Sequence, residues 1–198
     1  MKLIFFIKSE TVDISKYTIK NIPGSSGRLD VISRCILSAL LNEKGFDRRV
    51  EIWIFLKNYG TFIFNPEDLQ YQNFPKTELM LTDYFVSFLH TQESKEILNN
   101  NPLNSIKSSK MSIIKAIENF KNKNICIFVL KETGKDFLML KSKLTSDKNI
   151  LFIIGSQEDK FLNSSELLRL NLPIISIGDQ SYLASSVIRL LKLHMFAL

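Results

Sequence analysis

Three turns in the last third of the chain, Leu130-Lys131, Gly155-Ser156 and Gly178-Asp179, each close an apolar run. Two of the three end in glycine, which lets main chain approach a ligand closely because no Cβ intervenes. The spacing is not GxGxxG and no P-loop lysine is present, so a phosphate cradle is disfavoured. Near the other end, Gly27 is followed by Arg28 and Asp30 at the start of a helical pattern. A guanidinium there can hold a phosphate or the edge of a planar base. A carboxylate beside it can accept a proton or orient a reacting group, and a helix start favours a nearby anion. Structural accounts compete at the same residues. Asp30 and Arg34 are spaced as an ordinary i,i+4 helix pair, and an acid in the first turn suits the helix dipole. The stretch "GDQS" (Gly178 to Ser181) likewise reads as a capping turn, with Asp179 or Ser181 as N-cap.

These residues sit in a chain of 198 amino acids, 45% of them hydrophobic, enough for a sizeable core. No apolar run approaches the roughly 18 residues that a membrane span needs. "MKLIFFIK" lacks a small-residue cleavage pattern, so it reads as a first strand rather than a signal peptide, and a cytoplasmic protein is expected. Cys35 and Cys126 lie far apart in apolar segments and form neither a zinc spacing nor a disulfide framework. His90 and His194 close helical patterns with no ligand-type neighbours, so no metal is expected. The formal charge of +6 suits an acidic partner such as RNA, although a solvated lysine surface gives the same sum.

Strand and helix patterns alternate along the chain. Apolar runs predict strands at 3–7, 50–56, 61–64, 69–71, 124–130, 136–140, 149–155 and 173–178. Helical periodicity predicts helices from 28 to about 44, from 77 to 90, around 109–120, over 164–170 and over 181–194. Ile22–Gly27 reads as a loop, since it holds one proline, two glycines and two serines. Asn99–Ser105 is the most linker-like stretch. Buried, β-branched strands with intervening helices predict an α/β fold around a mostly parallel sheet. Ligands in such sheets sit beyond the carboxyl ends of the strands, where the three turns lie.

Two stretches, "IPGSSGRLDVISRCILSALL" (22–41) and "LFIIGSQEDKFLNSSELLRLNLPIISIGDQSYLASSVI" (151–188), resemble the archaeal-type tRNA (pseudouridine(54)-N1)-methyltransferases of the SPOUT class. "VLKETG" (129–134) matches a third segment of that family. The resemblance spans most of the chain and is weakest over about 60–110. It implies a SPOUT-type sheet flanked by helices with a C-terminal trefoil knot, in one domain over 1–198 with the cofactor-binding knot within about 124–198. It further implies S-adenosyl-L-methionine as cofactor, tRNA as partner and a homodimer. By that likeness Leu130, Gly155, Ile177, Gly178, Asp179, Gln180, Ser181 and Tyr182 surround the cofactor, with Leu183 and Val187 nearby. An adenine ring needs an apolar slot and exposed backbone at its edge. Leu130, Ile177 and Leu183 can supply the walls, and Gly155 and Gly178 the bare backbone.

Methyl transfer from a sulfonium is an in-line displacement, in which positioning alone contributes up to about 7–11 kcal/mol. Pseudouridine carries a proton on N1 that must leave. Asp30 is the candidate to accept it or orient the base, with Arg28 beside it holding phosphate or a base edge. Arg48 and Arg49 could extend a basic RNA surface, and Tyr182 favours packing over base stacking. The chain departs from the family pattern at Lys131, Ser156, Gln157, Ser186 and Val187. Two alternatives stay open: the same chemistry on ribosomal RNA, and a knotted RNA-binding protein without catalysis.

Overall fold

The strand β1 (Leu3–Ser9) is buried on both faces, which is why its sequence, LIFFI, shows no polar alternation. Leu3, Phe5 and Ile7 enter one core cluster, while Ile4 and Phe6 enter another on the opposite face of the sheet. The structure is a computed structural model that describes residues 1–94, 100–141, 148–155, 160–178 and 180–196. After β1 the chain makes a short helical turn, α1 (Ile22–Ser25), and then the helix α2 (Leu29–Leu40). A two-residue hairpin, β2 (Leu41–Asn42) and β3 (Gly45–Phe46), leads to β4 (Val50–Leu56) and β5 (Gly60–Phe64). Next come α3 (Glu78–Ser94), β6 (Lys107–Ser109), α4 (Ile113–Lys121) and β7 (Ile125–Asp136). The last third holds α5 (Phe137–Lys141), β8 (Asn149–Ile154), α6 (Ser165–Leu168), β9 (Ile174–Ser176) and α7 (Ala184–Phe196).

The main sheet has the order β6-β5-β4-β1-β8-β7-β9. Pairing is parallel from β4 through β1, β8 and β7 to β9, and antiparallel for β5 and β6 at the other side. This bears out the expected mostly parallel α/β sheet. Among the described residues, no helix is long and apolar enough to cross a membrane.

One irregularity governs the sheet edge. β7 pairs with Ile175 twice, through Leu130 and again through Lys135, and residues 131–134 are carried out between the two pairings. The loop stands on Ile175 at both feet. Gly134 presses against it so closely that a Cβ there would overlap the Ile175 carbonyl carbon.

Some local expectations are corrected. Leu69–Tyr71 is not a strand, because Asn65 caps a 3-10 turn at Pro66–Asp68 and the chain bends afterwards. Phe137–Lys141 is helical rather than extended, because the Asp136 carboxylate accepts the N–H of Leu138 at 2.9 Å and starts a helix. Ile22–Gly27 is not wholly loop, since Pro23 opens the turn of α1. α4 starts at Ile113, where Ser112 caps it, and Lys107–Ser109 goes to β6. α7 starts at Ala184 rather than 181. The linker-like stretch is pinned where it is described: Asn101 donates to the Tyr84 carbonyl at 2.9 Å and accepts from Leu103 N–H.

α7 is fastened to α2 by a buried amine. Lys192, 8% exposed, donates to the carbonyls of Ser38 (3.1 Å), Ala39 (2.6 Å) and Leu41 (3.1 Å), which end α2. Burial pushes its ammonium down to about 8, against the pull of Asp47, 3.8 Å away. Lys192→Met is expected to cost about 2–4 kcal/mol, because three buried carbonyls and Asp47 lose their donor. A thermal melt reads this as a drop in Tm. Stability of the parent should rise from about pH 8 to 10.5, since the unfolded chain still holds the proton that the folded chain has released. The methionine variant should lack this rise. The apolar tail also serves the core: Met195 is buried, and Phe196 lies 3.6 Å beneath the Arg49 guanidinium.

Candidate active site

Parallel pairing sets the carboxyl ends of β8 and β9 beside the 131–134 loop of β7. A cleft of about 690 Å³ opens at that edge, within the range of small-molecule sites. Leu130, Ile154 and Ile175 form apolar wall, Leu162 stands across from Gly155, and Leu183 approaches from just before α7 and Val187 from within it. Among the predicted binding residues, Leu130, Gly155, Ile177, Gly178, Gln180, Ser181, Tyr182, Leu183 and Val187 all line it. Asp179, Ser156 and Gln157 lie outside the described residues.

Tyr182 differs from the packing role expected of it. The residue is 42% exposed, and its hydroxyl comes up beside Gly178 at the rim. The carbonyl of Leu183 accepts the N–H groups of Ser186 (2.8 Å) and Val187 (3.0 Å), so the rim leads directly into α7.

Several lining residues have no periodic signal in the sequence. Val31 enters from α2, and Leu162 and Asn163 come from a 3-10 turn at Phe161–Asn163. Lys131, in the 131–134 loop, donates to Asn163 Oδ1 at 2.9 Å and so ties that loop to the turn. Among the described lining residues Lys131 is the one cation and Glu132 the one carboxylate.

Arg28 and Asp30 sit at the head of α2, just before Val31 reaches the cleft. Their placement starts with Gly27, at φ +56°, where a Cβ would overlap the Thr11 carbonyl oxygen. Thr11 Oγ1 donates to the Gly27 carbonyl at 2.9 Å, and Ser26 Oγ accepts the N–H of Leu29 at 3.1 Å. Arg28 itself is left-handed, at φ 70° and ψ 33°. A non-glycine residue there costs about 1–2 kcal/mol, so the surroundings must hold it.

Asp30 is that holder. It is 2% exposed, and its carboxylate accepts from Arg28 Nε (3.2 Å) and Nη2 (3.3 Å). Arg34 lies 3.8 Å from the same carboxylate and is clamped to Glu78 on α3 at 2.7 and 3.0 Å. The i,i+4 pair read from the sequence is therefore present, but the closer partner of Asp30 is Arg28. The Arg28 side chain remains 41% exposed.

The cysteines are apart: Cys35 is buried, with its thiol pushed up to about 12 by that burial, and Cys126 is half-buried. Among the described residues no three His, Cys, Asp or Glu side chains gather as a metal site.

The family model described as "Putative SAM-dependent RNA methyltransferase" matches residues 1–197. The tRNA (pseudouridine(54)-N(1))-methyltransferase of Thermococcus onnurineus is 26% identical over 203 residues, covering 96% of this chain and 95% of that protein. The protein of the same name from Methanococcus maripaludis strain C7 is 28% identical over 171 residues, covering 80% of this chain and 82% of that one. In fold, the chain is similar to Archaeoglobus fulgidus Nep1, solved bound to S-adenosylhomocysteine. The TM-score is 0.66 at 16% identity, over 100% of this chain and 98% of that one.

Proposed function

The chain belongs to the SAM-dependent RNA methyltransferase family whose model matches residues 1–197; on that premise we propose that it methylates N1 of pseudouridine at position 54 of the tRNA T-loop, the reaction for which its relatives are named. The observation that carries this reading is the cleft itself. Nine residues named from the sequence line one cavity at the carboxyl edge of a parallel sheet.

S-adenosylmethionine, when bound, supplies a methyl carbon carried on a sulfonium. The residues present fit such a group. Leu130, Leu183 and Val187 offer apolar surface to a purine, and Gly155 and Gly178 leave backbone open to its edge. Lys131, steadied by Asn163, would hold the carboxylate of the methionine moiety. Arg28 holds an RNA phosphate or the base edge, and its charge stabilises the anion left when N1 loses its proton. Asp30, already engaged by two guanidiniums, serves to position Arg28, and the N1 proton passes to solvent water as the methyl moves from sulfur to N1 and S-adenosylhomocysteine leaves.

The terminal segment is threaded in a trefoil knot within about 124–198, a reading that rests on the family resemblance and on the likeness in fold to Nep1. The protein acts on tRNA as a cytoplasmic homodimer of single-domain chains, and exposed Leu193 is apolar surface that a second copy would cover.

Incubating a T-arm RNA carrying pseudouridine 54 with S-adenosylmethionine should yield N1-methylpseudouridine by nucleoside mass spectrometry. Unmodified nucleoside at saturating cofactor would overturn the proposal. Lys131→Ala should weaken S-adenosylhomocysteine about 10–100-fold in calorimetry, the worth of a charge-assisted hydrogen bond of about 1.5–3 kcal/mol. It should leave 5′-methylthioadenosine, which lacks the carboxylate, unchanged. Equal losses for both ligands would count against this role.

A further inference from the structure

A second cleft, of about 660 Å³, lies between the end of β4 and the start of α4. Its sides carry Lys8, Lys57, Lys110 and Arg169, against two carboxylates, Glu118 and Glu166. Lys8 is engaged: it pairs with Glu10 at 2.6 Å and lies 4.7 Å over the Phe161 ring. Lys57, Lys110 and Arg169 are exposed, and among the described residues none has an ion-pair partner.

The walls are rigidly set. Lys57 N–H donates to the Ser9 carbonyl at 3.1 Å, which joins the ends of β4 and β1. Thr61 Oγ1 donates to the Met111 carbonyl at 2.6 Å, which anchors the segment carrying Lys110. The Glu10 carboxyl is held below its ordinary value mainly by its bond to Lys8, with Lys57 and Lys160 adding to the effect.

The two clefts share one connecting segment. Asn163 lines the first and Glu166 the second. Three residues span at most about 11 Å even when extended, so the clefts adjoin. Three exposed cations that line one cleft suit an anion that carries several phosphates. A polyanion whose base enters the first cleft would carry its backbone past the second.

From this juxtaposition we propose that Lys57, Lys110 and Arg169 form a docking groove for the phosphodiester backbone of the RNA substrate. The inference rests on the proposed RNA methyltransferase reading and adds where the RNA lies. Phosphate contacts of this kind position the substrate and make its binding depend steeply on salt.

The test compares the parent with the triple variant Lys57→Ala/Lys110→Ala/Arg169→Ala. A labelled T-arm RNA hairpin is titrated by fluorescence anisotropy between about 50 and 200 mM salt. The variant should bind RNA at least tenfold more weakly. Its slope of log affinity against log salt should be shallower by about 0.7–0.9 for each phosphate that it no longer neutralises. Its KM for RNA should rise while kcat at saturating RNA and affinity for S-adenosylhomocysteine stay unchanged, a split that a folding defect would not produce. Arg169→Lys should retain most of the affinity. If the parent methylates T-arm RNA and the triple variant matches it in affinity and salt slope, this inference fails and the enzymatic reading stands. A triple variant that instead loses only an acidic peptide such as poly-glutamate overturns it equally. A parent that binds no RNA overturns both.

Discussion

Gly134→Ala should lower stability by more than about 3 kcal/mol and remove S-adenosylhomocysteine binding along with it. Ordinary overpacking costs about 1–3 kcal/mol, because side chains can move aside. Here the obstacle is backbone: the carbonyl carbon, oxygen and Cα of Ile175 all lie within overlap of the new methyl. Ile175 cannot retreat without breaking its pairings to Leu130 and Lys135. Relief therefore requires the 131–134 loop to lift, which takes Lys131, Glu132 and Thr133 out of the cleft wall. A chemical denaturation series gives the stability, and calorimetry on the folded fraction gives the binding. A variant of parental stability would mean that the loop does not bear on Ile175 as described.

Arg28→Ala should lower kcat/KM for pseudouridine-containing RNA about 10²–10³-fold, the loss seen when one preorganised donor is taken from a developing anion. Affinity for S-adenosylhomocysteine should be unaffected, since Arg28 does not line the first cleft. Arg28→Lys recovers little, because an ammonium cannot make the two-pronged contact with Asp30 that aims the guanidinium. The backbone offers a separate check. At φ 70° glycine is the unstrained residue, so Arg28→Gly should be more stable than Arg28→Ala by about 1 kcal/mol while equally inactive. If the two variants melt together, the left-handed conformation costs nothing and is no mark of function. Asp30→Asn should lower kcat more than it raises KM for RNA, and by less than Arg28→Ala does, as fits a residue that acts through Arg28.

The apolar runs that became β1, β4, β7, β8 and β9 were legible because strands buried on both faces must be apolar throughout. The stripe of Leu29, Ile32, Ile36 and Leu40 likewise marked the buried face of α2. The elements that escaped are those decided by one hydrogen bond. Asp136 turned an apolar stretch into α5 by capping it, and Asn65 curtailed what looks like a strand at Leu69–Tyr71. The cleft residues at strand ends could be named because the family likeness covers them, with the glycines at two of the three strand ends as a second, less specific sign. Leu162 and Asn163 could not, since a 3-10 turn leaves no period in the sequence. The pairing of Asp30 was half legible. Spacing pointed to Arg34, but the nearer partner is Arg28, reached only because the chain turns left-handed at that residue.

The measurement that bears most directly on the central claim is a crystal structure with S-adenosylhomocysteine bound. The account predicts the ligand between Leu130, Gly155 and Val187, its carboxylate on Lys131, and the 131–134 loop closed over Ile175. Ligand bound at another face, or a cleft that stays empty at saturating ligand, would contradict it.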